Sequence, residues 1–174
     1  PHAPLTESTD IVVSTLDTVV TAGSNHASFE NLTISVARKG PIFTTCGNPR
    51  DYTAFGECRS EHLGESVTVV NCTVSNSGGT CLEMGGSNNM ANGNRVFGCG
   101  SSGINLIAGN VQTLERGNSA VIGNNISIVN RIQRTYAPGV YFAGVGNYVV
   151  WHNTPFRFNL RVRAPSPAAL SVPL

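Results

Sequence analysis

One short phrase, written several times, constrains this chain more than anything else in it. The phrase is an Asn, a run of β-prone residues, a turn of Gly, Asn or Ser, and an apolar run closing on Gly. Four segments align on the Asn: NLTIS from Asn31, NCTVS from Asn71, NRVFG from Asn94 and NISIV from Asn125. The second and third Asn stand 23 residues apart, and the flanking gaps are 40 and 31, so insertions separate the units. Asn153 opens a fifth unit. Each segment leads into a second run: GPIFTTCG from Gly40, GTCLEMGG from Gly79, GINLIAGN from Gly103 and GVYFAGVG from Gly139.

Aligned on that Gly, one column reads Pro41, Thr80, Ile104, Val140 and another Phe43, Leu82, Leu106, Phe142. Between them lies the mixed column Ile42, Cys81, Asn105, Tyr141. Successive side chains of a strand point to opposite faces. The large apolar column is therefore expected to face inward and the mixed one outward. Glu83 falls outward, in the next column with Ile107 and Ala143.

Short β-runs at a period near 23, joined by Gly/Asn turns and with no helical pattern between them, are the mark of a solenoid. The expected fold is all-β: a parallel β-helix of about five coils spanning residues 1–155. An Asn at the same corner of every coil would bond its own turn and the Asn above, forming an internal ladder. Asn31, Asn71 and Asn125 also open Asn-x-Ser/Thr sequons. An internal ladder would keep all three from carrying glycans. Loop insertions are expected at 48–64, 110–117 and 130–138, and they hold many of the charges. Residues 156–174 read as an irregular C-terminal tail.

Composition narrows the partners. Only 12% of the 174 residues are charged, and Lys+Arg 11 against Asp+Glu 10 leaves a net charge of +1. That argues against a nucleic acid or an anionic membrane held by bulk charge. No apolar run approaches the ~20 residues of a membrane span. Pro1 is not a natural start, so the chain reads as mature, trimmed or a fragment. There are five cysteines. Cys46 and Cys58 bracket a loop that a disulfide would close, and a secreted protein is expected; the alternative is five reduced thiols.

The run GGTCLEMGGSNNMANGNRVFGCGSSGINLIAGN and then GNNISIVNRIQRTYAPGVYFAGVGNYVVWHN resembles secreted right-handed parallel β-helix proteins of the carbohydrate-active type. These carry pectate-lyase-like repeats and include glycoside hydrolases and polysaccharide lyases. The resemblance covers roughly residues 25–153. It implies a right-handed coil and a polysaccharide partner. Two departures stand out. Family members often carry Gly-Gly-Asp-Arg after the apolar strand, where this chain has Ala108-Gly109-Asn110-Val111. Family members also continue with further Asn-led coils after the position of Asn153. Either the tail covers the coil end here, or coils of a longer protein are missing.

Glycoside hydrolysis needs two carboxyl groups, ~5 Å apart for retention or ~6.5–9.5 Å for inversion. The candidates are Glu83 and Glu115, the alternative being a solvated strand residue and a loop charge. A lyase needs a base and a partner for the uronate. The resemblance implies Arg for such a role, and Arg134 is the candidate. Asn105, Arg116, Tyr136, Tyr141 and His152 are the substrate-binding candidates. Arg134 bonding loop carbonyls and Tyr136 packing its insertion are the structural alternatives. No Asp/Glu cluster resembles a calcium cage and no Cys pair has zinc spacing, so neither metal nor other cofactor is expected. The competing function is a non-catalytic extracellular module that binds glycans or acts as a scaffold. An ice-binding face would need outward Thr columns, and Ile42, Cys81, Asn105 and Tyr141 do not supply one.

Overall fold

The structure, a computed structural model, describes residues 12–22, 25–44, 65–110 and 113–150. These hold fourteen strands and no helix. They are β1 (Thr18–Thr21), β2 (Ser28–Glu30), β3 (Thr33–Ala37), β4 (Gly40–Thr44), β5 (Thr68–Val70), β6 (Thr73–Ser77) and β7 (Leu82–Gly85). There follow β8 (Met90–Asn92), β9 (Arg95–Cys99), β10 (Ile104–Ala108), β11 (Ala120–Ile122), β12 (Asn125–Ser127), β13 (Val140–Gly144) and β14 (Tyr148–Val150).

The strands form three sheets. Sheet A runs β1-β4-β7-β10-β13, sheet B runs β2-β5-β8-β11-β14 and sheet C runs β3-β6-β9-β12. Every pairing between named strands is parallel. Chain order thus visits A, B and C in strict rotation, and each passage is called a circuit below. Parallel neighbours require a crossover of a dozen or more residues, usually a helix. Here the strands of the other two sheets are the crossover.

The core lies between the sheets. Leu82, Met84, Ile104, Leu106 and Val140 enter it from sheet A, Val69, Ala91 and Val121 from sheet B, and Val74, Val96 and Ile126 from sheet C. Full burial of one Leu, Ile, Val or Met contributes roughly 1.5–3 kcal/mol. On β7 and β10 the inward faces expected from alternation are the buried ones. On β4 the expected columns are exchanged: register pairs Ile42 with Leu82 and Phe43 with Glu83, so Ile42 and not Phe43 stands in the inward row.

The recurring Asn divides into two roles, which corrects the single internal ladder. Strand register aligns Thr33, Thr73, Arg95 and Asn125. The residues two before them are Asn31, Asn71, Gly93 and Gly123, with φ of 57°, 50°, 64° and 57°. This corner demands the left-handed region, which Gly and Asn enter at least cost. Asn31 and Asn71 are exposed, and Asn71 Nδ2 donates to Asn31 Oδ1 at 2.6 Å outside the core. Asn125 is exposed on β12. The internal pair is Asn94 and Asn124, one residue further in. Cys72 N–H donates to Asn94 Oδ1 at 2.8 Å, and Asn94 N–H donates to Asn124 Oδ1 at 2.9 Å. Asn94 Nδ2 donates to Val69 O and to Asn124 Oδ1, both at 2.8 Å.

A second ladder occupies the corner between sheets A and B. Val67 N–H donates to Asn89 Oδ1 at 2.8 Å, Asn89 N–H to Ser119 Oγ at 3.0 Å and Ser119 N–H to Asn147 Oδ1 at 3.2 Å. These residues immediately precede β8, β11 and β14. The corner between C and A is closed by close backbone stacking and by sulfur. A Cβ on Gly100 would lie 2.2 Å from Gly78 O, so only Gly fits there. Cys81 and Cys99 form a disulfide across 18 residues of sequence, tying the end of β9 to the start of β7. Cys81 is therefore a buried corner residue and not an outward one. Cys72 is buried with a free thiol. Cys46, Cys58, the 48–64 insertion, His152, Asn153 and the 156–174 tail lie outside the described residues.

Candidate functional site

The outer face of sheet A gathers more of the candidate residues than any other surface. Alternation fixes why. In β7, β10 and β13 the flanking apolar residues Leu82 and Met84, Ile104 and Leu106, and Val140 and Phe142 pack on the core side. The residue between each pair must point away from it. Register places those three side by side: Glu83 opposite Asn105, and Asn105 opposite Tyr141. Glu83 thus shares its row with Asn105 and Tyr141, not with Ile107 and Ala143. The next outward row is Gly85, Ile107 and Ala143.

The row is half-buried and polar. Asn105 Nδ2 donates to Thr80 Oγ1 at 3.3 Å, a residue whose place beside the row no sequence signal indicated. Asn105 Oδ1 is shielded from solvent and accepts no hydrogen bond among the described residues. Glu83 Oε1 is shielded as well. A carboxylate, an amide and a phenol thus stand on three consecutive rungs, about 4.8 Å apart.

Insertions border this face at both ends of its strands. The 130–138 segment connects sheet C to β13 and so stands where the sheet A strands begin. Its root is fixed: Ile132 N–H and Gln133 N–H both donate to Gly100 O, at 2.9 and 2.8 Å, and Ser101 Oγ donates to Gln133 Oε1 at 3.0 Å. Its tip holds Arg134 and Tyr136, both exposed, Tyr136 to 79%. The 110–117 segment follows β10 and stands where the strands end. There Asn110 N–H donates to Glu115 O at 2.9 Å. Arg116 lays its stem over Gly146, where a Cβ would come 2.8 Å from Arg116 Cγ.

The structure thus brings Glu83, Asn105 and Tyr141 into one row and sets Arg134 and Tyr136 at one border, Glu115 and Arg116 at the other. Glu115 backbone touches Gly109, four residues beyond Asn105 along β10, or about 13 Å at the strand rise. His152 lies outside the described residues. Among the described residues no group of three His, Cys, Asp or Glu is placed to hold a metal ion. An ion pair lies elsewhere, at the first circuit: Asp17 meets Arg38 at 2.5 Å and Lys39 at 2.7 Å. Hydrogen bonds from Arg38 and then Lys39 hold the Asp17 carboxyl down to about 2.

No protein-family model matches the chain, and neither the curated proteins nor the solved structures contain a match.

Proposed function

We propose that the chain is a secreted right-handed parallel β-helix whose sheet A face binds polysaccharide. The observation that carries this reading is the row Glu83, Asn105 and Tyr141 on three consecutive rungs, between two border loops that bear Arg134, Tyr136 and Arg116. The rung spacing of about 4.8 Å is close to the length of one pyranose in an extended glycan. A sugar presents a CH face to an aromatic ring and hydroxyls at its rim. Tyr141 offers the ring, and the half-buried Asn105 and Glu83 set an amide and a carboxylate beside it. The strict rotation through three parallel sheets supports the coil, and the Cys81–Cys99 disulfide supports an oxidising compartment.

Binding is the part of the reading that the geometry favours over cleavage. Among the described residues Glu83 is the only carboxylate in its row, and Glu115 stands at the far border. The test is affinity electrophoresis of the purified chain in neutral and uronate-containing polysaccharides, with reducing-end and unsaturated-uronate release read on the same samples. Retardation in at least one glycan is expected, lost in Tyr141→Ala and kept in Tyr148→Ala, which alters an exposed aromatic residue of sheet B. Equal retardation of both variants would reject the sheet A face. Release of new ends, abolished in Glu83→Gln, would move the reading from binding to hydrolysis.

A further inference from the structure

The three sequons are left unused by the sheet A face, and the structure places them where an internal ladder would not. All three Asn residues are exposed and lie where the chain enters sheet C. The buried duty at that corner belongs to Asn94 and Asn124, and neither begins a sequon. Asn125 and Ser127 are two residues apart on β12, so both project from the same outward face. Asn125 N–H donates to Asn94 O at 2.8 Å, whereas its side-chain Nδ2 donates to none of the described residues. Among the described residues, sheet C ends on β12 at one side and on β3 at the other. Asn31 stands just before β3 and Asn125 begins β12, so a sequon marks each terminal strand. Asn71 is different. It is one rung from Asn31 and its Nδ2 is bonded to Asn31 Oδ1 at 2.6 Å. Two glycans about 4.8 Å apart would collide, so Asn31 and Asn71 exclude one another.

We propose that Asn31 and Asn125 carry N-linked glycans and that Asn71 remains bare. The inference rests on the secreted reading above. The donor is an oligosaccharide linked through pyrophosphate to a lipid. Transfer forms a bond from Asn Nδ2 to C1 of the first sugar and breaks the bond from C1 to the pyrophosphate oxygen. The lipid pyrophosphate leaves with that electron pair, and the amide gives up one proton to the transferase. The hydroxyl of Thr33 or Ser127 is the element the transferase requires two residues on. A bulky hydrated chain beside each terminal strand also hinders edge-to-edge pairing, the hazard of an open parallel sheet.

The test is the full chain, exported from eukaryotic cells behind a secretion signal and analysed as intact mass before and after peptide N-glycosidase treatment. Two glycans are expected. Asn31→Gln and Asn125→Gln should each remove one, and Asn71→Gln none. Thr33→Ala and Ser127→Ala keep the Asn but destroy the sequon, and the same single losses are expected. An unmodified Asn125 in exported protein with Cys81–Cys99 formed would overturn the proposal and leave the secreted reading standing. A glycan on Asn71 in place of Asn31 would overturn the assignment of sites. A chain that reaches no medium and holds Cys81 and Cys99 as thiols would overturn both readings.

Discussion

Replacing Asn94 by Ala separates the two kinds of corner Asn. Asn94 is 1% exposed and its side chain serves three groups: Cys72 N–H, Val69 O and Asn124 Oδ1, each at 2.8 Å. Cys72 N–H is a buried donor, and orphaning it costs roughly 1–3 kcal/mol. The two acceptors each lose a bond worth roughly 0.5–1.5 kcal/mol net. The sum is about 4 kcal/mol, a large share of the ~5–15 kcal/mol that stabilises a domain. Asn31, by contrast, is exposed and gives up one outer bond, so Asn31→Gly, which keeps the left-handed backbone at φ 57° accessible, should cost under about 1 kcal/mol. Urea unfolding with matched slopes measures both. Asn94→Ala within about 1 kcal/mol of the parent, or no gap between the two variants, would refute the division into inner and outer ladders.

Three further outcomes follow from the same geometry. Reducing the Cys81–Cys99 bond frees a loop of 18 residues, and chain entropy puts the loss at about 3 kcal/mol, read as a shift in the unfolding midpoint. Ile128 is a β-branched residue at φ 51° with 66% of its surface exposed, so Ile128→Asn should stabilise by about 1 kcal/mol in the same assay. Asp17 titrates in the fold at about 2 against an ordinary 3.8, so its contribution is present above pH 3.8 and lost as pH falls toward 2. Carboxyl chemical shifts over an acid titration check it, and a midpoint at 3.8 would contradict the Arg38 and Lys39 contacts.

Alternation made the outward direction of Glu83 legible, but not its neighbours. Counting from glycines matched Gly79 with Gly103, whereas register matches Cys81 with that position, since Leu82 pairs with Ile104. The slip is two residues. Strand side chains repeat every two residues, so this slip between β7 and β10 keeps their inward residues inward and changes only who stands beside whom. Against β4 the same count slips by one and exchanges the rows of Ile42 and Phe43. The row of Glu83, Asn105 and Tyr141 was hidden for that reason. The ladder of Asn89, Ser119 and Asn147 was hidden because one member is Ser. Its signal is a Gly one to three residues upstream and an apolar run immediately after. The sequon Asn residues were misplaced because Asn serves both corners, once for its left-handed backbone and once for its buried amide. The Cys81–Cys99 pair left a fainter trace, a spacing of 18 that is close to one repeat.

That disulfide also alters what the molecule does under tension. It closes a covalent ring containing one strand from each sheet, β7, β8 and β9. Pulled from its two ends, the chain should pay out the outer circuits and then halt at the ring. The 18 residues held inside would withhold about 60 Å of extension until a reductant entered. The middle of the molecule is thus a mechanical stop, released by chemistry and not by force.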